Sequence, residues 1–282
     1  MIKRFAVATL MLCCMGSAAF GWQWDTQAPA GDQKGNFGKW QVSKRLSGSI
    51  GAWRSELHGD LDVEGLKIDL QGDGDFNDRS VPTLQLAYTL SKRSRLWLEY
   101  VALDHDGAIT KQVTFDNQTY SAGAKLNLTN RWFDLGGARL LKVYGDPAKI
   151  KTDPSHIEVL YGIKFSRASV DVAGTDNLGT QVSDSWDESF PIPYIGVGGR
   201  ARFTDAFGVN GRLKYLSVNS GGDSARTYDY AVEFEWRLNP LTKNEQWFLT
   251  AGWRGYLIDG ESDTNSIEVG YRGPVVSLTG RF

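Results

Sequence analysis

The chain has 282 residues, 41% of them hydrophobic, with mean hydropathy −0.34 and formal net charge −2. No apolar run approaches the ~18–20 residues that a membrane-crossing helix requires, which excludes a helical membrane protein but not a barrel, whose strands alternate. The near balance of charge argues against a general nucleic-acid binder.

The chain opens MIKRFAVATLMLCCMGSAAFG, with Lys3 and Arg4 ahead of the apolar stretch from Phe5 to Met15. Ala19 and Gly21 are small residues at the −3 and −1 positions of a cut before Trp22. This is the pattern of a signal peptide, residues 1–21. Leu10, Met11 and Leu12 ahead of Cys13 lack the small residues of a lipoprotein signal. Both cysteines, Cys13 and Cys14, lie in this leader. The exported chain thus enters an oxidising compartment without a thiol, and loss of Lys3 and Arg4 moves its net charge from −2 to −4.

Residues 22–47 are rich in Gln, Gly, Asp and Lys and have no clear period; they read as a periplasmic N-terminal segment. Its Trp22, Trp24 and Trp40 are either interfacial contacts or part of an unstructured leader.

From Gly48 to Phe282 the chain reads as strands and turns, about ten strands with eight to twelve possible. The first is expected over Gly48–His58, followed by a polar loop from Gly59 to Val81. The second places Leu84, Leu86, Tyr88 and Leu90 on one face, then turns tightly through Ser91–Ser94. The third sets Leu96, Leu98, Tyr100 and Ala102 against Arg95, Trp97 and Glu99, before a long loop from Asp104 to Ser121. In the fourth, Ala122–Leu135, the polar set Lys125, Asn127, Thr129 and Arg131 is expected inward. A Pro-containing connection from Tyr144 to His156 leads to the fifth, with Val159, Tyr161, Ile163 and Phe165 outward, and a loop from Gly174 to Ser189. Strands six and seven flank Thr204–Ala206. The eighth alternates most clearly: Tyr228, Tyr230, Val232, Phe234, Trp236 and Leu238 against Asp229, Glu233, Glu235 and Arg237. The ninth spans Trp247–Ile258, and Asp259–Thr264 leads to the last.

The last strand ends GPVVSLTGRF, with Val276, Leu278, Gly280 and Phe282 on one face and Ser277, Thr279 and Arg281 on the other. Apolar groups outside and polar groups inside invert a soluble barrel and match a strand in an outer-membrane barrel. The short turns follow strands two, six and eight, and long acidic loops follow strands one, three and five. That asymmetry suits a closed, antiparallel, up-and-down transmembrane β-barrel in the cell outer membrane. Aromatic residues near strand ends suit an interfacial belt. In a closed barrel, Gly270–Phe282 is expected to pair with Gly48–His58.

The run GAWRSELHG, then VPTLQLAYTLSKRSRLWLEYVALDHDG, VTFDNQTYSAG and the close YRGPVVSLTGRF resembles a family of uncharacterised outer-membrane barrel proteins of Gram-negative bacteria. A strand ending in Phe282 resembles the C-terminal signal read by the barrel assembly machinery. The resemblance implies no catalytic residues and no cofactor. It implies a monomer whose partners are outer-membrane lipid, lipopolysaccharide and that machinery, with no nucleic acid.

The expected lumen carries Arg95, Lys125, Arg131, Lys164, Arg200, Arg202, Arg212, Lys214, Arg237, Arg254 and Arg281, facing Glu99, Glu158, Asp229, Glu233 and Glu235. A barrel of about ten strands is little wider than one filled by its own side chains. A salt-bridged plug is the expected use of these charges; a narrow basic path for small anions or polar solutes is the alternative. Three other constellations stand out. Asp104-His105-Asp106 at the outer end of strand three offers carboxylate and imidazole to a surface hydrolase, with His58 and Asp60 nearby on strand one. Those groups faintly resemble the carboxylate and histidine groups of omptin-type outer-membrane proteases, whose second Asp/His pair has no Asp-x-His counterpart here. Ser155-His156 falls in an expected periplasmic turn. Asp73, Asp75, Asn77 and Asp78 resemble a calcium loop, but Leu84 stands where a closing Glu belongs, and no metal site is expected.

Overall fold

The computed structural model describes residues 45–63, 66–115, 118–144, 154–176, 178–220, 223–239, 245–261 and 266–282. The expected signal peptide, and residues 22–44 with their tryptophans, lie outside the described residues. Leu46 and Ser47, expected in the N-terminal segment, instead open the first strand.

The described residues form fourteen strands: β1 (Leu46–Val63), β2 (Leu66–Asp69), β3 (Gly74–Phe76), β4 (Arg79–Ser91), β5 (Ser94–Ile109), β6 (Val113–Phe115), β7 (Gln118–Tyr120), β8 (Lys125–Tyr144), β9 (Ser155–Thr175), β10 (Gln181–Arg202), β11 (Phe207–Ser220), β12 (Asp223–Arg237), β13 (Gln246–Glu261) and β14 (Ser266–Arg281). Ten of them, β1, β4, β5 and β8–β14, close into an antiparallel barrel. The seam is the expected one. Ser47 pairs with Arg281, Ile50 with Leu278 and Leu57 with Tyr271. Beyond Arg281, the Phe282 N–H donates to the Leu46 carbonyl at 2.8 Å, and the Arg45 N–H to the Phe282 carbonyl at 3.1 Å. Closure gives every barrel strand a partner on both sides, although β10 meets β11 only over Ile195–Arg202.

Three expected loops are corrected. The Gly59–Val81 stretch contains the end of β1, then β2, which pairs back on β1, and β3, which pairs with β5. Within Asp104–Ser121, β5 runs on to Ile109 and β6 pairs with β7. Gly174–Ser189 is largely the continuation of β9 and β10, paired from Thr175↔Gln181 downward. These segments read as loops because they are polar. They are strands because their polar residues alternate with Leu61, Ile68, Val113, Phe115, Val182 and Trp186, which pack inward.

The barrel has two zones along its axis. Toward the termini the outer face is an apolar belt. Ile50, Leu84, Leu86, Phe133, Phe165, Ile195, Val232, Trp253 and Val276 are all exposed there. Away from the termini the same outward register turns polar: on β1 it passes from Ile50 and Ala52 to Arg54 and Asp60. The interior reverses in step. One apolar cluster fills the far zone, with Trp53, Leu57, Leu103, Leu128, Trp132 and Tyr256 from the barrel wall. Ile68 and Leu70 near β2, and Val113, Phe115 and Tyr120 from β6 and β7, join that cluster.

Candidate functional site

The interior of the belted zone is polar, because strand alternation that turns apolar groups outward turns the intervening residues inward. Buried charge is tolerated only when paired, and here it is paired across the barrel. Glu99 on β5 accepts from the two terminal guanidinium nitrogens of Arg254 on β13, at 2.7 and 3.2 Å, and from Arg212 on β11 at 3.3 Å. Asp229 on β12 accepts from Lys164 at 2.9 Å and lies 3.5 Å from Arg254 and 3.8 Å from Lys214. Asp134 on β8 accepts from the Tyr194 hydroxyl at 2.5 Å and pairs with Lys214. Nearer the termini, Glu235 pairs with Arg202, accepts from Arg281 at 2.8 Å and lies 3.4 Å from Arg200. Glu158 pairs with Arg95.

Rings line the boundary between the ionic layer and the apolar cluster. The Lys164 ammonium lies 3.7 Å from the Tyr256 ring centre and 4.6 Å from that of Trp132. Arg254 lies 5.1 Å from the Trp53 ring centre. Such cation–π contacts are worth ~2 kcal/mol when desolvated, so each cation is held by carboxylates on one side and rings on the other. Below this boundary is a polar well of about 170 Å³. Its lining runs from Ser47 and Arg281 near the termini to Arg212 and Arg254 further in.

Among the described residues, Glu99, Asp134 and Asp229 bring carboxylate oxygens within 4.8 Å of one another, as a metal site would. Lys164, Lys214 and Arg254 already supply the positive charge there. The donor set fits a protein ion network better than a cation site.

Of the residues expected in the lumen, Arg95, Glu99, Glu158, Lys164, Arg200, Arg202, Arg212, Lys214, Asp229, Glu233, Glu235, Arg237, Arg254 and Arg281 have inward register. Lys125 and Arg131 do not. Both are exposed on the outer face of β8, while Leu126, Leu128, Asn130 and Trp132 are buried. The cause is the change of zone: this part of β8 lies beyond the belt, where polar residues face solvent and apolar ones face in. Phe133 and Leu135, exposed in the belt, share the register of Arg131 and carried the signal. The same register places Asp134 inward, a network carboxylate that the alternation reading missed.

The other constellations come apart. His105 is fully buried with its Nδ1 3.3 Å from the Asn77 carbonyl, whereas Asp104 and Asp106 are exposed and Asp106 pairs with Arg79. His156 Nδ1 lies 3.0 Å from the Pro154 carbonyl. In the calcium-like stretch, Asp73 Oδ2 accepts from the Asp69 N–H at 3.1 Å and pairs with Lys111. The Lys111 ammonium holds the Asp73 carboxyl below the usual carboxylate range.

No model of a known family and no curated protein matches the sequence. Among solved structures, the chain is similar to the outer membrane protease OmpT from Escherichia coli. The two are 14% identical over 86% of this chain and 98% of that one, with TM-score 0.53. Matches with lower TM-scores include the β domain of the Bordetella autotransporter BrkA (0.37, 10% identity, 85% and 98% covered) and Ail of Yersinia pestis (0.36, 11%, 85% and 99%). The likeness is one of fold: a barrel of the outer-membrane type.

Proposed function

We propose that the chain is an outer-membrane barrel of structural and surface-interaction type, with a plugged lumen that does not conduct. The carrying observation is the stack inside the barrel, an ion-paired layer beneath an apolar cluster that contains Trp53, Trp132 and Tyr256. An ion crossing that cluster would lose its hydration without gaining polar partners. The apolar belt supports embedding in a bilayer. The polar zone beyond it, away from the termini, then stands outside the cell, where its strands and hairpins meet surface ligands. Phe282 at the barrel end supports recognition by the assembly machinery, and the self-contained seam supports a monomer. Planar-bilayer recording tests the reading: the refolded protein should leave the membrane silent, and stable ion-selective steps would overturn it.

One observation favours a second reading, a narrow pore for small anions: inward Arg and Lys outnumber inward carboxylates around the well. If steps appear, Arg200→Glu with Arg202→Glu should reverse their selectivity, and an unchanged reversal potential would remove this reading too. A rim hydrolase is not proposed, since His105 is buried and faces away from Asp104 and Asp106.

A further inference from the structure

On five of the ten barrel strands, the first outward position beyond the belt, on the side away from the termini, is an arginine: Arg54, Arg131, Arg167, Arg226 and Arg272. Four have carboxylate partners. Arg54 lies 3.1 Å from Asp78, Arg226 3.9 Å from Asp259 and Arg272 3.4 Å from Glu56. Arg167 donates to Asp187 at 2.9 and 2.5 Å. Arg131 makes no ion pair among the described residues, and it pairs in register directly with Arg167. Directly opposed like charges on one face of a sheet, with Cβ atoms ~4.5–5.5 Å apart, repel. An anion between them removes that repulsion.

The residues above and below specify the anion. One step toward the belt, Phe133 pairs with Phe165, and both rings are about half exposed. One step the other way, Thr129 pairs with Ser169. From belt to exterior the patch therefore runs phenyl, guanidinium, hydroxyl, the order of acyl chain, phosphate and sugar in a phosphorylated glycolipid. Asp187 and Asp104 are the acids beside it. Guanidinium groups bind phosphate through paired, charge-assisted hydrogen bonds.

We infer that Arg131 and Arg167 hold a phosphate of lipopolysaccharide in the outer leaflet, with Phe133 and Phe165 against its acyl chains and Thr129 and Ser169 at its sugars. This rests on the membrane reading above and gives the expected lipopolysaccharide partner a site.

The test titrates the refolded protein in neutral detergent with lipopolysaccharide. The parent is compared with the Arg131→Gln, Arg167→Gln pair and with the Arg131→Lys, Arg167→Lys pair. Both arginines are exposed, so the variants should keep the parent's heat-modifiable gel mobility; if the double Gln variant does not, the single variants serve. The Gln pair should lose affinity about tenfold or more, and the Lys pair should recover part of it. Chemically dephosphorylated lipopolysaccharide should bind the parent as weakly as the intact lipid binds the Gln pair. Equal binding by parent and Gln pair, or indifference to dephosphorylation, would overturn the inference. So would phosphatidylglycerol or inorganic phosphate binding as well as lipopolysaccharide. A parent that fails to insert into phospholipid vesicles refutes the membrane reading itself. Insertion with variant-independent binding refutes the lipid site alone.

Discussion

Lys164 touches two chemistries at once: its ammonium bonds Asp229 at 2.9 Å and rests 3.7 Å from the Tyr256 ring centre. It joins the ionic layer to the apolar cluster. Asp229 is the more exposed link in energetic terms, because Lys164, Arg254 and Lys214 all converge on it. Asp229→Asn should destabilise the barrel by about 3–5 kcal/mol, since it leaves buried cations uncompensated. Lys164→Met should cost less, since Asp229 keeps two cationic partners. Urea unfolding in micelles measures both, and the reverse order would refute the role given to Asp229.

The plug is tested by hollowing it. The Trp132 and Tyr256 rings are 4.8 Å apart within the lumen. Trp53→Ala with Trp132→Ala should admit a small leak in planar bilayers where the parent is silent. Each single change should also cost about 3–5 kcal/mol as a large-to-small core substitution. A double variant that remains fully silent would place the seal higher, at the residues near β2 and on β6 and β7.

Leu278 is the middle outward residue of the belted part of β14, flanked in register by Ile50 and Leu249. Leu278→Arg should destabilise the embedded barrel by about 2–4 kcal/mol, the cost of a midplane cation on the lipid face. The measurement is refolding equilibrium in vesicles of defined thickness. A change under ~1 kcal/mol would put Leu278 at an interface.

The turn between β2 and β3 should respond to acid. Lys111 holds the Asp73 carboxyl below the usual carboxylate value of ~4. A lowered native value stabilises the turn above the ordinary carboxylate range, and the contribution is lost as pH falls through the native value. Amide exchange at Asp69 and Thr110, corrected for intrinsic rates, should therefore rise on acidification. Asp73→Asn should show the faster exchange at every pH.

Much of the barrel was legible in the sequence because strand alternation is a local property. Val276, Leu278 and Phe282 against Ser277, Thr279 and Arg281 define two faces whatever surrounds them. What alternation leaves open is which face points in, and that depends on the medium outside. Along β8 the outer face changes from apolar to polar between Phe133 and Arg131, so one unbroken register carries belt residues and then polar exposed ones. Reading polarity alone turned Lys125 and Arg131 inward; carrying the register up from Leu135 would have turned them outward. The network partners were legible as types but not as pairs. Glu99 and Arg254 are 155 residues apart in the chain, and only barrel closure brings them together.

The seam also sets the order of events in biogenesis. Thr279 and Ser49, 230 residues apart, share a hydrogen bond across it, and Phe282 exchanges backbone bonds with Leu46. Contacts of such separation carry a large entropy of loop closure and form late. One edge of β1 therefore waits for β14, while its other edge pairs with β4, close by in the chain. Without β14 the sheet would have two open edges, on β1 and β13. The seam makes β14 a condition of closure, since it supplies the partner of two strands at once.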